Sequence, residues 1–306
     1  MRLAVAATSS VAQPTLDALL KGPHTPVRVF TTADKPSGRG LHLQQSEVAT
    51  WAQAHSIECI KVSNSSEMEP NLSDIDCVVT IAFGILLPQE ILDLPRYGFI
   101  NLHFSLLPAW RGAAPVQRAI ENGDPQLGIT VFKLDAGMDT GPIYTSAAVD
   151  RDLNIRTSEA LELLARLGVD LIFDALQKIE TGVTPTPQSS DGATRAFKLS
   201  KEEAQIEWST SATAIHQKIA AFYPNPVAFT YLRENVLKIS MSTVAHDLEG
   251  VASLAPGEIY ADKKRVFVGT TSGNLELLRV IPQGKAEMNA IDWARGARLN
   301  PGEICG

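Results

Sequence analysis

The stretch Gly98-Phe99-Ile100-Asn101-Leu102-His103-Phe104-Ser105-Leu106-Leu107-Pro108 decides how the rest of the chain is read. An apolar run leads into two polar side chains two positions apart, and a proline soon follows. Side chains alternate faces along a strand, so Asn101 and His103 share one face and Leu102 takes the other. Working outward, apolar runs at Leu3–Thr8, Val27–Thr31, Cys59–Val62, Asp76–Ala82 and Ile129–Leu134 predict further strands. Amphipathic segments at Val11–Lys21, Ser46–His55 and Val116–Asn122 fall between them as helices. Alternation of this kind predicts an α/β fold, a Rossmann-like, mostly parallel sheet covered on both faces. In such sheets ligands bind at the carboxyl ends of the strands, which is where Asn101 and His103 stand.

The longest helical pattern runs from Thr157 to Thr181, with Leu161, Leu164, Leu167, Leu171, Ala175, Leu176 and Ile179 at helical spacing and Gly182 as a stop. Gly168 lowers helix propensity inside it without breaking it. The stretch Gly182–Gly192 is rich in Pro, Ser, Thr and Gly, which is linker chemistry. Beyond Trp208, one helix over Ala212–Phe222 precedes short strand-like runs at Val227–Leu232, Val236–Met241, Gly257–Tyr260, Arg265–Gly269 and Leu275–Ile281. Five such strands predict a small OB-like β-barrel. The expected division is therefore a catalytic domain over residues 1–183, a linker over 184–203 and an OB-like domain over 204–306.

Composition narrows the function classes. The 44% hydrophobic content over 306 residues is enough for two ordinary domains. No run approaches the roughly 18 apolar residues of a membrane helix, and the apolar start is too short for a signal peptide. Cys59, Cys77 and Cys305 lie far apart with no Cys-x-x-Cys pair, which fits a reducing cytoplasm. The net charge of −7 argues against a general nucleic-acid partner. It is uneven, however: residues 1–200 hold 16 Lys and Arg against 22 Asp and Glu, while residues 201–306 hold 11 against 12. The second half is nearly neutral and permits an RNA partner without pointing to one.

A second loop, Leu134-Asp135-Ala136-Gly137-Met138-Asp139-Thr140-Gly141-Pro142, follows a strand and carries two acids and two glycines. Singly, a strand-end His, a turn Asn and an Asp beside Gly are ordinary structural residues. Together they permit chemistry if Asp139 approaches His103, because a carboxylate orients an imidazole and raises its pKa. The chain has no Gly-x-Ser-x-Gly elbow, no cysteine with a partner and no metal-ligand spacing among its histidines. The set fits direct attack by a substrate amine on a carbonyl. Asn101 and protonated His103 would hold the developing oxyanion, and Asp139 with His103 would move the protons.

Asn101-x-His103, followed by Ser105-Leu106-Leu107-Pro108 and Arg111-Gly112, with Asp139-Thr140-Gly141 on a later loop, resembles the folate-dependent formyltransferases. The resemblance implies 10-formyltetrahydrofolate as donor; the histidine spacing predicts no metal. It also implies the catalytic trio Asn101, His103 and Asp139, and a folate site lined by Ser105, Leu106, Leu107 and Pro108. The run Thr32–Gly40 resembles the loop with which family members acting on methionyl-tRNA grip the acceptor end, which implies a tRNA contact at Arg39. Lys198–Trp208, Phe222–Pro226, Pro256–Glu258 and Arg295-Gly296 resemble marks of their carboxyl-terminal domain. The implied acceptor is the amino group of initiator methionyl-tRNA, and the expected enzyme is a cytoplasmic monomer. Leu41 and His42 stand where lysines are common, and Ala220 where an arginine is common, so the tRNA contacts depart from the pattern. Competing readings are a small amine as acceptor, such as an amino sugar nucleotide or glycinamide ribotide, a non-catalytic RNA-binding relative, and a hydrolase releasing formate.

Overall fold

The computed structural model of the chain describes residues 1–37, 42–245 and 253–306. It divides into two compact units, one of Met1–Pro115, Leu127–Val149 and Leu161–Ala196, the other of Val116–Gln126, Asp150–Ala160 and Phe197–Gly306. No helix among the described residues is long and apolar enough to cross a membrane.

The first unit is built on seven strands: β1 (Leu3–Ala7), β2 (Arg28–Thr32), β3 (Glu58–Val62), β4 (Cys77–Ile81), β5 (Phe99–His103), β6 (Gln126–Lys133) and β7 (Ile143–Asp150). They lie in the order β7-β6-β5-β4-β1-β2-β3, and the chain winds outward from β1 in both directions. Pairs β1–β2, β1–β4, β2–β3 and β4–β5 are parallel. Every residue of β1 and β4 is buried, as their unbroken apolar sequences require of strands covered on both faces. Strand β7 was not predicted. Its pattern, Ile143-Tyr144-Thr145-Ser146-Ala147-Ala148-Val149-Asp150, carries no apolar stripe, because as an edge strand it is half-exposed along its length.

Strand β6 runs antiparallel to β5, with Asn101 opposite Phe132 and His103 opposite Thr130. Apolar patterning predicts this strand and the Asp139 loop after it, but not the strand's direction. Because β6 is antiparallel, it exits beside Phe99, where the Leu134 N–H donates to the Phe99 carbonyl. The loop must then double back toward His103.

The even face of β5 meets helix α4 (Thr157–Glu180), numbered after α1 (Gln13–Lys21), α2 (Glu47–Ala54) and α3 (Pro115–Asn122). The helical stripe includes Leu164, Ala175, Leu176 and Ile179 as expected, but Leu167 is 37% exposed and the buried position is Gly168. A Cβ at Gly168 would lie 2.7 Å from Leu102 Cδ2. The glycine that weakens the helix is therefore the residue that lets it sit close to β5. The odd face of β5 begins with Phe99 in a core cluster with Ala4, Phe30, Met68 and Val78. The same face ends in Asn101 and His103, so it passes from apolar to polar toward the carboxyl end.

The Pro- and Ser-rich stretch after α4 is not a free tether. Thr186 exchanges two backbone hydrogen bonds with Ile143, and Arg195–Ala196 pairs in parallel with Arg111–Gly112. Pro185 and Pro187 favour extended backbone here, as prolines do in semi-rigid spacers.

In the second unit, α5 (Ala212–Phe222) is capped by Ser211, whose hydroxyl accepts from the Ala214 N–H. It precedes β8 (Phe229–Leu232), β9 (Asn235–Val244), β10 (Ile259–Ala261), β11 (Val266–Thr270) and β12 (Gly273–Pro282). These form a curled antiparallel half-barrel in the order β8-β9-β12-β11-β10, with Met288–Asn289 added beside β12. Helix α6 (Ala290–Ala297) was not predicted, being one short amphipathic stretch with Gly296 near its end. His216 is a structural histidine: Nε2 donates to the Leu153 carbonyl and Nδ1 meets the Ser242 hydroxyl, both at 3.1 Å. Ala220 is 2% exposed on the packed side of α5.

Gly168→Ala is expected to lose about 1 kcal/mol net, since overpacking against Leu102 costs ~1–3 kcal/mol and the gain in helix propensity returns about 1. Gly168→Val should lose more. Urea unfolding midpoints check both, and a stabilised Gly168→Ala protein would refute the close-packing account.

Candidate active site

Strand β5 delivers Asn101 and His103, and neighbouring strands hold them. Thr80 of β4 lies beside Asn101 in register. Its buried hydroxyl sits 2.9 Å from Asn101 Oδ1 and 3.0 Å from the Ile100 carbonyl. The single hydroxyl proton, donated to Oδ1, leaves Asn101 Nδ2 unused by this contact and available as a donor. On the other side the Phe132 ring stands edge-on to the His103 imidazole, centroids 6.3 Å apart.

His103 is 5% exposed. Its Nε2 lies 3.0 Å from the Trp110 carbonyl, which only accepts, so Nε2 carries a proton. Nδ1 faces Asp139 Oδ2 across 3.8 Å, too far for a hydrogen bond but close enough for a strong charge interaction. Burial pushes the imidazole pKa below its ordinary 6.5, while the Asp139 charge and the Trp110 hydrogen bond act in the opposite direction. Pairing with a carboxylate predicts a raised pKa and a cationic His103. The carboxylate does act that way, but desolvation outweighs it, and the resting imidazole is neutral at pH 7 with its Nδ1 lone pair toward Asp139.

Asp139 is positioned from several sides. Its Oδ2 accepts the Gly112 N–H at 2.8 Å. Of the two acids in its loop, Asp135 builds the turn, its Oδ1 accepting from the Gly137 N–H and the Thr140 hydroxyl. Gly141 lies so close to the Lys133 carbonyl that no side chain fits. Asp139 itself has φ +54°, and Trp110 has φ +61°. Such left-handed backbone is sparsely populated outside glycine and persists only where its surroundings enforce it.

The Ser105–Pro108 segment is committed largely to its own loop. The Ser105 hydroxyl donates to the Ala109 carbonyl at 2.6 Å, and the Thr130 hydroxyl donates to the Ser105 carbonyl and accepts the Leu107 N–H. Leu107 is 8% exposed, and Leu106 lies against Gly128, where a Cβ would clash. These contacts hold the segment that follows His103 in one shape. Exposed apolar groups stand elsewhere, at Leu86 on the loop after β4 and at Met138 next to Asp139. Arg39 lies outside the described residues, between the antiparallel strands Lys35–Ser37 and His42–Gln44.

Three contributors carry no signal in the sequence pattern: Thr80, Thr130 and Gln188. The two threonines sat in strands read only for hydrophobicity. Gln188 lies in the Pro-rich stretch, where composition spoke for a linker; its side chain nonetheless binds Arg111 and the Asp139 loop. Cys77, the cysteine of β4, has its thiol pushed up to about 12 by burial and is no nucleophile. Among the described residues no cluster of His, Cys, Asp and Glu could hold a metal ion.

A neutral buried imidazole beside a carboxylate, with an amide donor on the same strand face, suits proton transfer at a carbonyl under attack. Comparison with known proteins gives the family. Residues 1–171 match the family model for formyl transferase, and residues 198–298 match that for the formyl transferase C-terminal domain. The chain belongs to the formyl transferase family. It is 40% identical over 309 residues to the methionyl-tRNA formyltransferase of Salinispora tropica, covering 99% of each. It is 41% identical over 312 residues to that of Streptomyces griseus, covering 100% of each. The N-formyltransferase from Helicobacter canadensis, solved with folinic acid and dTDP-3-aminofucose, shares the fold with a TM-score of 0.69 at 18% identity, over 90% of this chain and 98% of that one.

Asp139→Asn should lower the His103 pKa further, because it removes the charge that opposes desolvation; NMR titration of the imidazole protons reads the shift. A rise would show that another group sets the potential at Nδ1. In the wild type, the unfolded chain takes up this proton first as pH falls through about 6.5. His103 therefore removes stability on the acid side of that value.

Proposed function

We propose that the chain transfers the formyl group of 10-formyltetrahydrofolate to the amino group of methionine on initiator methionyl-tRNA, for translation initiation. The observation that carries this reading is the convergence of Asn101, His103 and Asp139 in a chain that matches methionyl-tRNA formyltransferases end to end at about 40% identity. The residues fit the donor. A formyl carbonyl needs a hydrogen-bond donor and a base rather than a nucleophile, and the site offers an amide, a neutral imidazole and a carboxylate. The folate supplies a formyl group on a nitrogen that can leave.

Asn101 Nδ2 donates to the carbonyl oxygen as negative charge gathers there, a contribution on the order of 3 kcal/mol. The amine nitrogen bonds to the formyl carbon, and the bond from that carbon to the folate nitrogen breaks. His103 Nδ1 accepts the proton the amine sheds and returns it to the departing nitrogen, so no proton is gained or lost overall. Asp139 stabilises the imidazolium while it exists. The segment of Ser105, Leu106, Leu107 and Pro108 bounds the folate, and Arg39 contacts the tRNA.

Residues 1–183 act as the catalytic domain, 184–203 as the connector and 204–306 as the tRNA-binding domain of a cytoplasmic monomer. The near-neutral charge of residues 201–306 supports an RNA-facing role better than the acidic first part does. Leu41, His42 and the buried Ala220 stand where the family pattern carries cations, leaving fewer for the phosphates.

The test offers 10-formyltetrahydrofolate with methionine-charged initiator tRNA, uncharged tRNA or an amino sugar nucleotide, and follows the formyl group. Labelling of the charged tRNA is expected; labelling of the sugar, or formate release alone, would replace the reading. His103→Ala should cut kcat about 10²–10⁴-fold with folate binding near normal. Arg39→Ala should chiefly weaken use of the tRNA.

A further inference from the structure

We propose that Gln188, in the Pro-rich stretch beyond α4, is a positioning residue for the formyl-transfer site: it sets the backbone that aims Asp139 at His103. This rests on the catalytic role given to those two residues above.

The amide of Gln188 is fully engaged, and its orientation follows from the chemistry of its partners. Oε1 lies 3.1 Å from Arg111 Nε and 2.7 Å from Arg111 Nη2, and a guanidinium only donates. Nε2 lies 3.0 Å from the Asp139 carbonyl and 2.7 Å from the Gly141 carbonyl, which only accept. No flipped amide satisfies those four contacts. One side chain therefore ties the Arg111 segment, which follows β5, to the loop that doubles back from β6.

The tie spans the catalytic geometry. On one side, Arg111 precedes Gly112, whose N–H holds Asp139 Oδ2. On the other, Gln188 holds the main chain of Asp139 itself, at a residue with left-handed backbone that its own conformational preference does not secure. The flanking stretch is anchored too. The Thr194 hydroxyl accepts from the Trp110 N–H at 2.8 Å, and the Thr194 carbonyl accepts from the Arg111 N–H at 2.9 Å. Gly112 has φ +130°, and a Cβ there would lie 2.5 Å from the Ala196 carbonyl. Residues 186–196 thus close over the Trp110–Gly112 segment, and Gln188 is where they reach the Asp139 loop.

A shift of about 1 Å in a group that must meet developing charge costs on the order of 10²-fold in rate. Gln188→Met keeps length and bulk and loses all four polar contacts. It should lower kcat roughly 10- to 100-fold, with KM for folate and for tRNA within about threefold. Gln188→Glu keeps the acceptor toward Arg111 and loses both donors toward the loop. It should be as slow as Gln188→Met while unfolding at least as late. A Gln188→Glu protein with wild-type kcat would overturn the proposal, as would a loss confined to KM, since either assigns Gln188 to holding the connector only.

A second readout needs no turnover. In NMR titrations Gln188→Met should lower the His103 pKa, and should have no such effect in an Asp139→Asn background. An equal shift in both backgrounds, or none in the first, contradicts positioning through Asp139. If that coupling holds while the wild type formylates no amine, the functional reading falls and the positioning role stands.

Discussion

A neutral imidazole facing a carboxylate at 3.8 Å is an uneasy arrangement at rest. The Nδ1 lone pair of His103 points toward Asp139 Oδ2, and each would be better satisfied by a proton between them. Burial withholds that proton by disfavouring the imidazolium, and the Trp110 carbonyl fixes the other ring proton on Nε2. What results is a base held in its neutral form, whose conjugate acid, once the attacking amine creates it, has the Asp139 charge to offset part of the cost of burial. The proton that an attacking amine must shed has a defined destination, and the charge it brings is met by a carboxylate already in place. Electrostatic preorganisation of this kind is the usual source of the largest catalytic contributions.

The topology explains how the two partners meet. His103 is at the carboxyl end of β5, where parallel neighbours such as β4 direct their loops. Asp139 belongs to a strand that runs the other way and leaves at the opposite end. A loop of nine residues, 134–142, makes up the difference, and its glycines are where it presses against its own strand and turn. A loop that doubles back has little intrinsic preference for its final shape. It is therefore held from outside, by the Gly112 N–H and by Gln188.

The sequence made the sheet legible because its strands are buried on both faces and read as unbroken apolar runs; Leu3–Ala7 and Cys77–Ile81 are the plainest cases. It also placed Asn101 and His103 on one face, since strand periodicity leaves no other choice. The direction of β6 was not legible, because apolar patterning is blind to strand polarity. Strand β7 was hidden by half-exposure, and the pKa of His103 by the competition between burial and charge, which only coordinates resolve. Gly168 showed the same limit in reverse. Propensity marks it as a defect, and only the approach of Leu102 shows it as the contact that seats α4.

The connector is the sharpest instance. Read by composition, Gly182–Gly192 is a spacer, and spacers tolerate change. Yet Pro185 and Pro187 keep it extended beside β7, and Thr186, Gln188 and Thr194 each bind a different part of the site's frame. Proline is suited to this because it fixes φ without asking for a backbone partner, leaving the residues between to make the specific bonds. The same chemistry that makes a stiff linker makes a stiff strap, and what separates them is whether the polar residues in it have somewhere to bind. Here one of them, Gln188, binds the loop least able to hold itself, so the strap shares the constraint that keeps Asp139 opposite His103.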